Sequence, residues 1–211
     1  MRTRRQVLSN LAVTPFAAAF IRHGTAAEQA EPQIIPESHC LSEESARGFR
    51  LLLERNRALL ENRSTRLVVI PGARQLRLAT ALALVEEATR GAWVIFEDGT
   101  AFTRSEQAIP QMRVLKYVFG IGVQPTVAIG ERYIEYLWPL HRLVRHFNTF
   151  TPIECLAGEA IAYANGATAC AKRHIGKGGI IYLGSMLGPG LVAEEREAHE
   201  LGTAILKWIS G

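Results

Sequence analysis

The stretch from residue 159 to 187 constrains the fold more than any other part of this chain. Within it, two runs of small and apolar residues flank the dipeptide Asn165-Gly166. Asn-Gly accepts the positive φ angles of a tight two-residue turn, so the sequence predicts an antiparallel hairpin. A glycine-rich turn then precedes Ile-Ile-Tyr-Leu at 180–183, which has no polar alternation. That run predicts a strand covered on both faces.

A second pattern lies earlier in the chain. The apolar runs at 67–70 and 93–96 predict buried strands, and the segment between them, 76–90, has apolar residues at helical spacing and ends before Gly91. A strand, a helix and a strand at this spacing predict a βαβ unit with a right-handed crossover and parallel pairing.

Other elements follow from caps and spacing. Ser42 precedes a segment with helical spacing, and serine is a preferred N-cap. Helices are also predicted over 110–119 and 192–209, and 123–129 with 133–137 predict a short hairpin. These elements complete a single domain.

The residues of the opening stretch also carry a family resemblance. The pattern Ala-Tyr-Ala-Asn-Gly, followed by Arg-His-Ile-Gly-Lys-Gly-Gly-Ile-Ile-Tyr-Leu-Gly-Ser, lies within 162–185. It resembles the end of the middle, trimerisation-type domain of family 42 beta-galactosidases, a catalytically silent relative of class I glutamine amidotransferases. The resemblance covers residues 65–210 and is strongest in 159–187. It implies an α/β, flavodoxin-like three-layer sandwich, with a mostly parallel sheet plus an antiparallel hairpin near the C-terminal end.

The catalytic residues of that family have no counterparts here. In the catalytic amidotransferases a cysteine nucleophile follows a strand in a sharp turn, and the corresponding position in this chain is Glu97. A carboxylate cannot replace a reactive thiolate in glutamine hydrolysis. Where the family has His-x-Glu after the last strand, this chain has Gly-Ser-Met at 184–186, and His199 falls later, on the predicted helix surface. The resemblance therefore implies a domain without amidotransferase chemistry, and whether it is an enzyme of another kind stays open.

Two interpretations of the turn after 93–96 remain. Glu97 and Asp98 are adjacent carboxylates that can bind a cation, or one can act as a base if burial raises its pKa. Alternatively, Asp98 and Gly99 simply make a turn. Because open α/β sheets bind ligands beyond the carboxyl ends of their strands, we take as candidate ligand-binding residues those that follow the strands: Gly72, Gly99, Thr100, Gly184 and Ser185.

Charge is concentrated at the N-terminus. Of 211 residues, 21% are charged and the formal net charge is +4, but residues 1–27 hold four arginines and no acidic residue. The remainder is therefore balanced, which argues against nucleic-acid binding. The paired Arg4 and Arg5, an apolar run at 11–21 and small residues at 24–27 resemble a twin-arginine signal peptide.

The leader sets the expected organisation and location. Residues 1–27 are a predicted twin-arginine-type signal peptide, 28–41 an extended lead-in with a short strand at 33–35, and 42–211 the single domain. The eleven-residue apolar run falls short of the roughly 20 residues that span a bilayer. We expect an exported, periplasmic or extracytoplasmic protein with no membrane span after cleavage.

Cysteine and histidine patterns predict no cofactor or metal. Cys40, Cys155 and Cys170 lack the regular Cys/His spacing of a zinc site, and hairpin register separates Cys155 from Cys170. We expect buried thiols rather than a disulfide.

Three functions fit the sequence. The first is a non-catalytic binding or interaction domain of the cell envelope, whose partner is an envelope protein or a carbohydrate. The second is a hydrolase acting on a carbohydrate or a small amide with Glu97 as acid/base. The third is a structural subunit that assembles into homo-oligomers through residues 123–150, where aromatic and basic side chains cluster.

Overall fold

The computed structural model describes residues 33–34, 42–61, 65–72, 78–97, 113, 115–128, 133–145 and 149–211. The helices are α1 (Glu43–Arg55), α2 (Arg57–Leu60), α3 (Leu78–Arg90), α4 (Gly188–Val192) and α5 (Arg196–Ser210), with a π-helical turn at Leu115–Phe119. The strands are β1 (Gln33–Ile34), β2 (Leu67–Ile70), β3 (Trp93–Glu97), β4 (Ile121–Val123), β5 (Val127–Ala128), β6 (Tyr133–Tyr136), β7 (Arg142–Arg145), β8 (Thr149–Phe150), β9 (Ile153–Cys155), β10 (Glu159–Ala164), β11 (Ala167–Ile175) and β12 (Gly178–Leu183). The predicted signal peptide at 1–27 and Cys40 lie outside the described residues.

The main sheet corrects the predicted fold class. Its eight strands lie in the order β1-β2-β3-β12-β11-β10-β6-β7. The three pairs from β1 to β12 are parallel, and the four pairs from β12 to β7 are antiparallel. The prediction of a mostly parallel, flavodoxin-like three-layer sandwich is therefore wrong. The physical reason is that β11, β10, β6 and β7 extend the sheet through antiparallel pairing, which needs no crossover helix.

Both opening patterns are confirmed. β2 and β3 pair in parallel across α3, and β10 and β11 pair antiparallel around the turn, where Asn165 has φ 50° and Gly166 has φ 75°. The register shifts on either side of Ala162, which lies opposite Cys170. A β-bulge inserts an extra residue and moves the pairing by one position.

Two predicted elements differ from the structure. The hairpin of 123–129 with 133–137 does not form, because β4 pairs with β9, β5 with β8, and β6 with both β7 and β10. The predicted helix 192–209 begins only at Arg196, as α5, because Val192 is the last residue of the short helix α4 and Glu194, whose φ is 57°, lies between the two helices. A left-handed residue cannot continue a right-handed helix, so the chain turns there.

Two apolar cores lie on opposite faces of the sheet. Helices α1, α4 and α5 pack on the face that includes Ile95, Ile181 and Leu183. Helix α3 and the π-helical turn pack on the other face, which includes Phe96 and Tyr182. Since neighbouring residues of a strand point to opposite faces, β3 and β12 are buried along their whole length, as their unbroken apolar runs predict.

Helices α1 and α4 cross at very close range. A Cβ on Gly48 would collide with the carbonyl oxygen of Gly188, and a Cβ on Gly188 would collide with the backbone of Ser45. Both obstacles are backbone atoms, which cannot rotate away. The first turn of α4 is therefore fixed against the middle of α1.

Replacement of Gly48 by alanine tests this crossing. Alanine favours a helix interior over glycine by about 1 kcal/mol, but the collision with Gly188 makes Gly48→Ala destabilising by about 1–3 kcal/mol. Gly202→Ala in α5 is the matched control, because its added methyl group meets only the flexible end of the Leu52 side chain. Urea unfolding of both variants checks the difference, and equal stabilities would contradict the close crossing.

Candidate functional site

A row of residues crosses the sheet at the end of β3. Glu97 lies opposite Leu183 of β12, Leu183 opposite Cys170 of β11, Cys170 opposite Ala162 of β10, and Ala162 opposite Tyr136 of β6. Residues directly opposite one another in a sheet share a face. The row therefore points toward the core beneath α1, α4 and α5, and brings together groups far apart in sequence.

Glu97 is fully buried at the end of this row. Its Oε1 atom accepts hydrogen bonds from the backbone N–H groups of Leu187, at 2.6 Å, and Gly188, at 2.7 Å. These N–H groups belong to the start of α4, where a helix leaves donors unsatisfied and carries a partial positive charge. The carboxylate therefore fastens the end of β3 to α4.

Of the other predicted site residues, Gly72, Gly184 and Ser185 lie within the described residues, whereas Asp98, Gly99 and Thr100 lie outside them. Gly72 has φ 51°, and its carbonyl oxygen accepts the N–H of Ser42 at 3.3 Å.

Gly184 and Ser185 follow the end of β12, close to the row. The carbonyl oxygen of Gly184 accepts the N–H of Thr151 at 2.7 Å, and its N–H donates to Ala169 at 2.9 Å. Ser185 is buried, and its hydroxyl has no hydrogen-bond partner among the described residues. The structure thus brings Glu97, Gly184 and Ser185 to one end of the sheet, where backbone bonding fixes the glycine.

Further along the row lie a buried thiol, Cys170, and a buried phenol, Tyr136. The Cys170 Sγ and the Tyr136 hydroxyl oxygen lie 3.5 Å apart, and both residues are buried. Burial raises the pKa of Cys170 to about 11, partly offset by its hydrogen bond with Tyr136. Burial also raises the pKa of Tyr136 well above its ordinary 10.0. Both groups are therefore neutral at physiological pH, and Cys170 is a poor nucleophile.

Cys155 and Cys170 are both free thiols. The interpretation of Cys170 as a small buried side chain is correct, whereas Cys155 is only partly buried. His199, predicted on the helix surface, is partly buried, and its Nε2 lies 3.0 Å from the Leu191 carbonyl oxygen.

The sequence did not reveal a cluster that contains all three tryptophans of the chain. Trp208 packs edge to face on both Trp93 and Trp138, with ring centroids 4.8 and 4.7 Å apart, and His174 contacts Trp93 in the same way. We call Trp93, Trp138, His174 and Trp208 the aromatic cluster. These residues come from β3, β11, α5 and the segment after β6, so no local pattern could have predicted their contact.

Lys172 covers part of the aromatic cluster. Its Nζ lies 4.9 Å from the ring centroid of Trp138 and 5.3 Å from that of Trp208, and it forms an ion pair with Glu159 at 2.5 Å. A cation over an indole face is attracted by the ring quadrupole. Polar and aromatic groups thus meet at the start of β10.

Within the described residues, no group of three or more His, Cys, Asp or Glu side chains could hold a metal ion. In the same part of the chain, none of the helices combines the length and the apolar character that a membrane crossing needs.

A pH titration tests the buried thiol. In the unfolded chain Cys170 loses its proton near its ordinary pKa of 9.0, whereas in the folded protein it keeps the proton up to about 11. Deprotonation therefore favours the unfolded state, and the free energy of unfolding falls as pH rises from 9 to about 11. Cys170→Ala should flatten this decline, and Cys155→Ala, at a partly buried thiol, should keep most of it. Urea unfolding between these pH values measures both slopes, and an unchanged slope in Cys170→Ala would refute the assignment.

Comparisons with known proteins give structural similarity alone. No family model and no curated protein sequence matches the chain. Solved structures with a similar fold include the exo-beta-1,4-mannosidase Op5Man5 from Opitutaceae bacterium strain TAV5, 11% identical, with a TM-score of 0.56 over 84% of this chain and 35% of that chain. Cytoplasmic protein STM1381 from Salmonella typhimurium LT2 is 15% identical, with a TM-score of 0.53 over 92% of this chain and 74% of that chain.

Beta-galactosidases are also among the structural neighbours. The enzyme from Bacillus circulans sp. alkalophilus is 14% identical, with a TM-score of 0.46 over 64% of this chain and 22% of that chain. This chain therefore spans about a fifth of the beta-galactosidase and about a third of the mannosidase. At these identities, the similarity to the mannosidase and to the Salmonella protein shows a shared fold alone.

Proposed function

We propose that this chain is a non-catalytic interaction domain of the cell envelope, in which Glu97 serves the fold and an exposed sheet surface contacts a partner protein. The observation that carries the proposal is the engagement of Glu97 Oε1 by the N–H groups of Leu187 and Gly188 in a fully buried position. A general acid or base must reach the substrate proton. A carboxylate bound to α4 in this way supports a structural role.

The surface available for a partner lies on the β6–β7 hairpin. Tyr133, Leu137 and Leu143 are large apolar residues that are each more than half exposed, at 52%, 53% and 56%. Apolar and aromatic residues that group on a surface are typical of protein contacts. The paired Arg4 and Arg5 of the leader support location in the envelope, through export by the twin-arginine route.

A melting experiment tests this role for Glu97. The full chain and Glu97→Gln are heated alone and with sugars, primary amides and divalent cations. We expect Glu97→Gln to be less stable by about 1–3 kcal/mol, because it replaces charge-assisted hydrogen bonds with neutral ones, and neither protein to respond to the compounds. Glu61→Gln is the control, since Glu61 forms an exposed ion pair with Arg57 whose loss should cost about 0–1 kcal/mol.

The outcome distinguishes the proposal from the hydrolase alternative. A compound that binds only the folded state at a hundredfold excess over its dissociation constant adds about 2.7 kcal/mol of stability. Such a stabilisation in the unchanged protein, lost in Glu97→Gln and kept in Glu61→Gln, would contradict the proposal. It would favour a hydrolase with Glu97 as acid/base.

Carbohydrate binding is the second candidate, and the aromatic cluster is the observation that favours it. Trp138 and Trp208 are partly exposed beside Lys172 and Glu159. Sugars bind to aromatic planes flanked by polar groups. The named activities of the mannosidase and the beta-galactosidase suggest beta-mannosides and beta-galactosides as the ligands to try.

Intrinsic fluorescence tests this candidate directly, because every tryptophan of the chain belongs to the aromatic cluster. If the cluster binds sugar, titration with beta-1,4-mannooligosaccharides or beta-galactosides changes the emission in a saturable way, and Trp138→Ala abolishes the change. Tyr117→Ala, at a residue that is 74% exposed and outside the cluster, is the control and should bind normally. Emission that does not change with either sugar class would eliminate this candidate.

A further inference from the structure

The outer surface of the β6–β7 hairpin carries four exposed residues that we call the hairpin face: Tyr133 and Glu135 of β6, and Leu143 and Arg145 of β7. The strand register pairs Tyr133 with Arg145 and Glu135 with Leu143. The residues between them on each strand are buried in the core. Within the described residues, the helix that contacts β7 is α5, and it lies on the core side, where Val144 belongs to the same apolar core as residues of α5.

The hairpin face has its apolar residues at opposite corners and its charged residues at the other two. Side chains two residues apart on a strand are about 6.8 Å apart, and paired residues on adjacent strands are about 5 Å apart, so the four positions form a nearly square rectangle. Tyr133 and Leu143 define one diagonal, and Glu135 and Arg145 define the other.

We infer that the hairpin face binds the hairpin face of a second copy of this chain, about a two-fold axis that runs along the Tyr133–Leu143 diagonal. This inference rests on the proposed interaction role and names the partner. Rotation about that axis stacks Tyr133 on Tyr133 and Leu143 on Leu143 of the second copy. The same rotation places Glu135 opposite Arg145 of the second copy, twice, so the surface complements itself.

The three other two-fold axes parallel to the sheet do not give this match. An axis along the Glu135–Arg145 diagonal sets glutamate against glutamate and arginine against arginine, which is unfavourable. An axis along the strands sets Glu135 against Leu143 of the second copy. An axis across the strands sets Arg145 against Leu143 and Glu135 against Tyr133. Each of the last two arrangements buries a charge against an apolar or aromatic residue without an opposite charge, which is also unfavourable. The diagonal axis also crosses the strands of the two copies at about 70°, toward the orthogonal class of sheet packing.

The charged corners already have partners within the chain, and these must be exchanged or shared. Glu135 lies 2.9 Å from His141, and Arg145 lies 3.3 Å from Glu195. The Glu135–His141 pair is exposed on both sides and contributes only about 0–1 kcal/mol. Arg145 is about half exposed, although its partner Glu195 is largely buried, so the guanidinium can share its donors with Glu135 of the second copy. Interfaces smaller than about 1,200 Å² are typical of transient complexes, and we expect a reversible dimer of low affinity.

Charge reversal tests the axis itself. Sedimentation velocity of the full chain, from about 1 μM to about 1 mM, should show a monomer–dimer equilibrium. Glu135→Arg and Arg145→Glu should each weaken dimerisation at least about tenfold, because each change creates two like-charge contacts. An equimolar mixture of the two variants should dimerise again. In the mixed dimer the arginine introduced into one variant faces the glutamate introduced into the other, and the native pair forms on the other side. The double variant should also dimerise.

Glu86→Arg on α3 is the matched control, because α3 packs on the sheet at β3 and β12, and should leave the dimer intact. Melting curves verify that each variant is folded. A wild-type protein that is monomeric over the whole range, or two variants that stay monomeric when mixed, would overturn the inference. Neither result touches the role of Glu97, which the ligand melting experiment decides separately.

Discussion

The hydrogen bonds that the Glu97 carboxylate accepts are the contacts on which the structure at the end of β3 depends. A buried charge is costly unless hydrogen bonds replace its water, and a helix start leaves N–H groups without partners. The bonds from Leu187 and Gly188 give Glu97 Oε1 two donors and give the start of α4 an acceptor. Because Gly188 also lies in backbone contact with Ser45 of α1, one carboxylate links β3, α4 and α1. Helix α4 has only five residues, too few to be stable alone, so it depends on these contacts.

The two halves of the sheet differ in how they are covered. β2, β3 and β12 have a helix-bearing layer on each face and are buried throughout. β6 and β7 alternate between buried and exposed residues, because the helix that covers them within the described residues, α5, lies on one face. This difference follows from connectivity: a parallel pair needs a crossover that covers a face, whereas an antiparallel hairpin adds strands without cover. The hairpin face is a direct consequence.

Local sequence predicted the local structure well. The Ser42 N-cap of α1, the βαβ unit, the Asn165-Gly166 turn and the buried strand β12 were all predicted, because each is encoded in a short stretch of sequence. The sheet order was not, since β6 pairs with β10, about 25 residues away, and nothing near Tyr133 specifies that partner. The resemblance implied too much parallel sheet, because four of the seven strand pairs are antiparallel. Glu97 was found as a candidate, whereas its bonds to α4 depend on residues 90 positions later.

The position of Glu97 illustrates that a buried carboxylate at a strand end can contribute to stability as well as to chemistry. The carboxyl end of a central strand is where many α/β proteins place their chemistry, because helix N-termini and freed backbone groups converge there. The same convergence can serve stability if a side chain of the protein occupies the donors. Here the donors of α4 bind Glu97 of the chain itself, and the adjacent thiol of Cys170 is kept neutral by burial. Chemistry that used Glu97 Oε1 would compete with the hydrogen bonds that hold β3 to α4. On the β6–β7 hairpin, by contrast, the ion pair of Glu135 with His141 is exposed to solvent and can exchange partners at low cost.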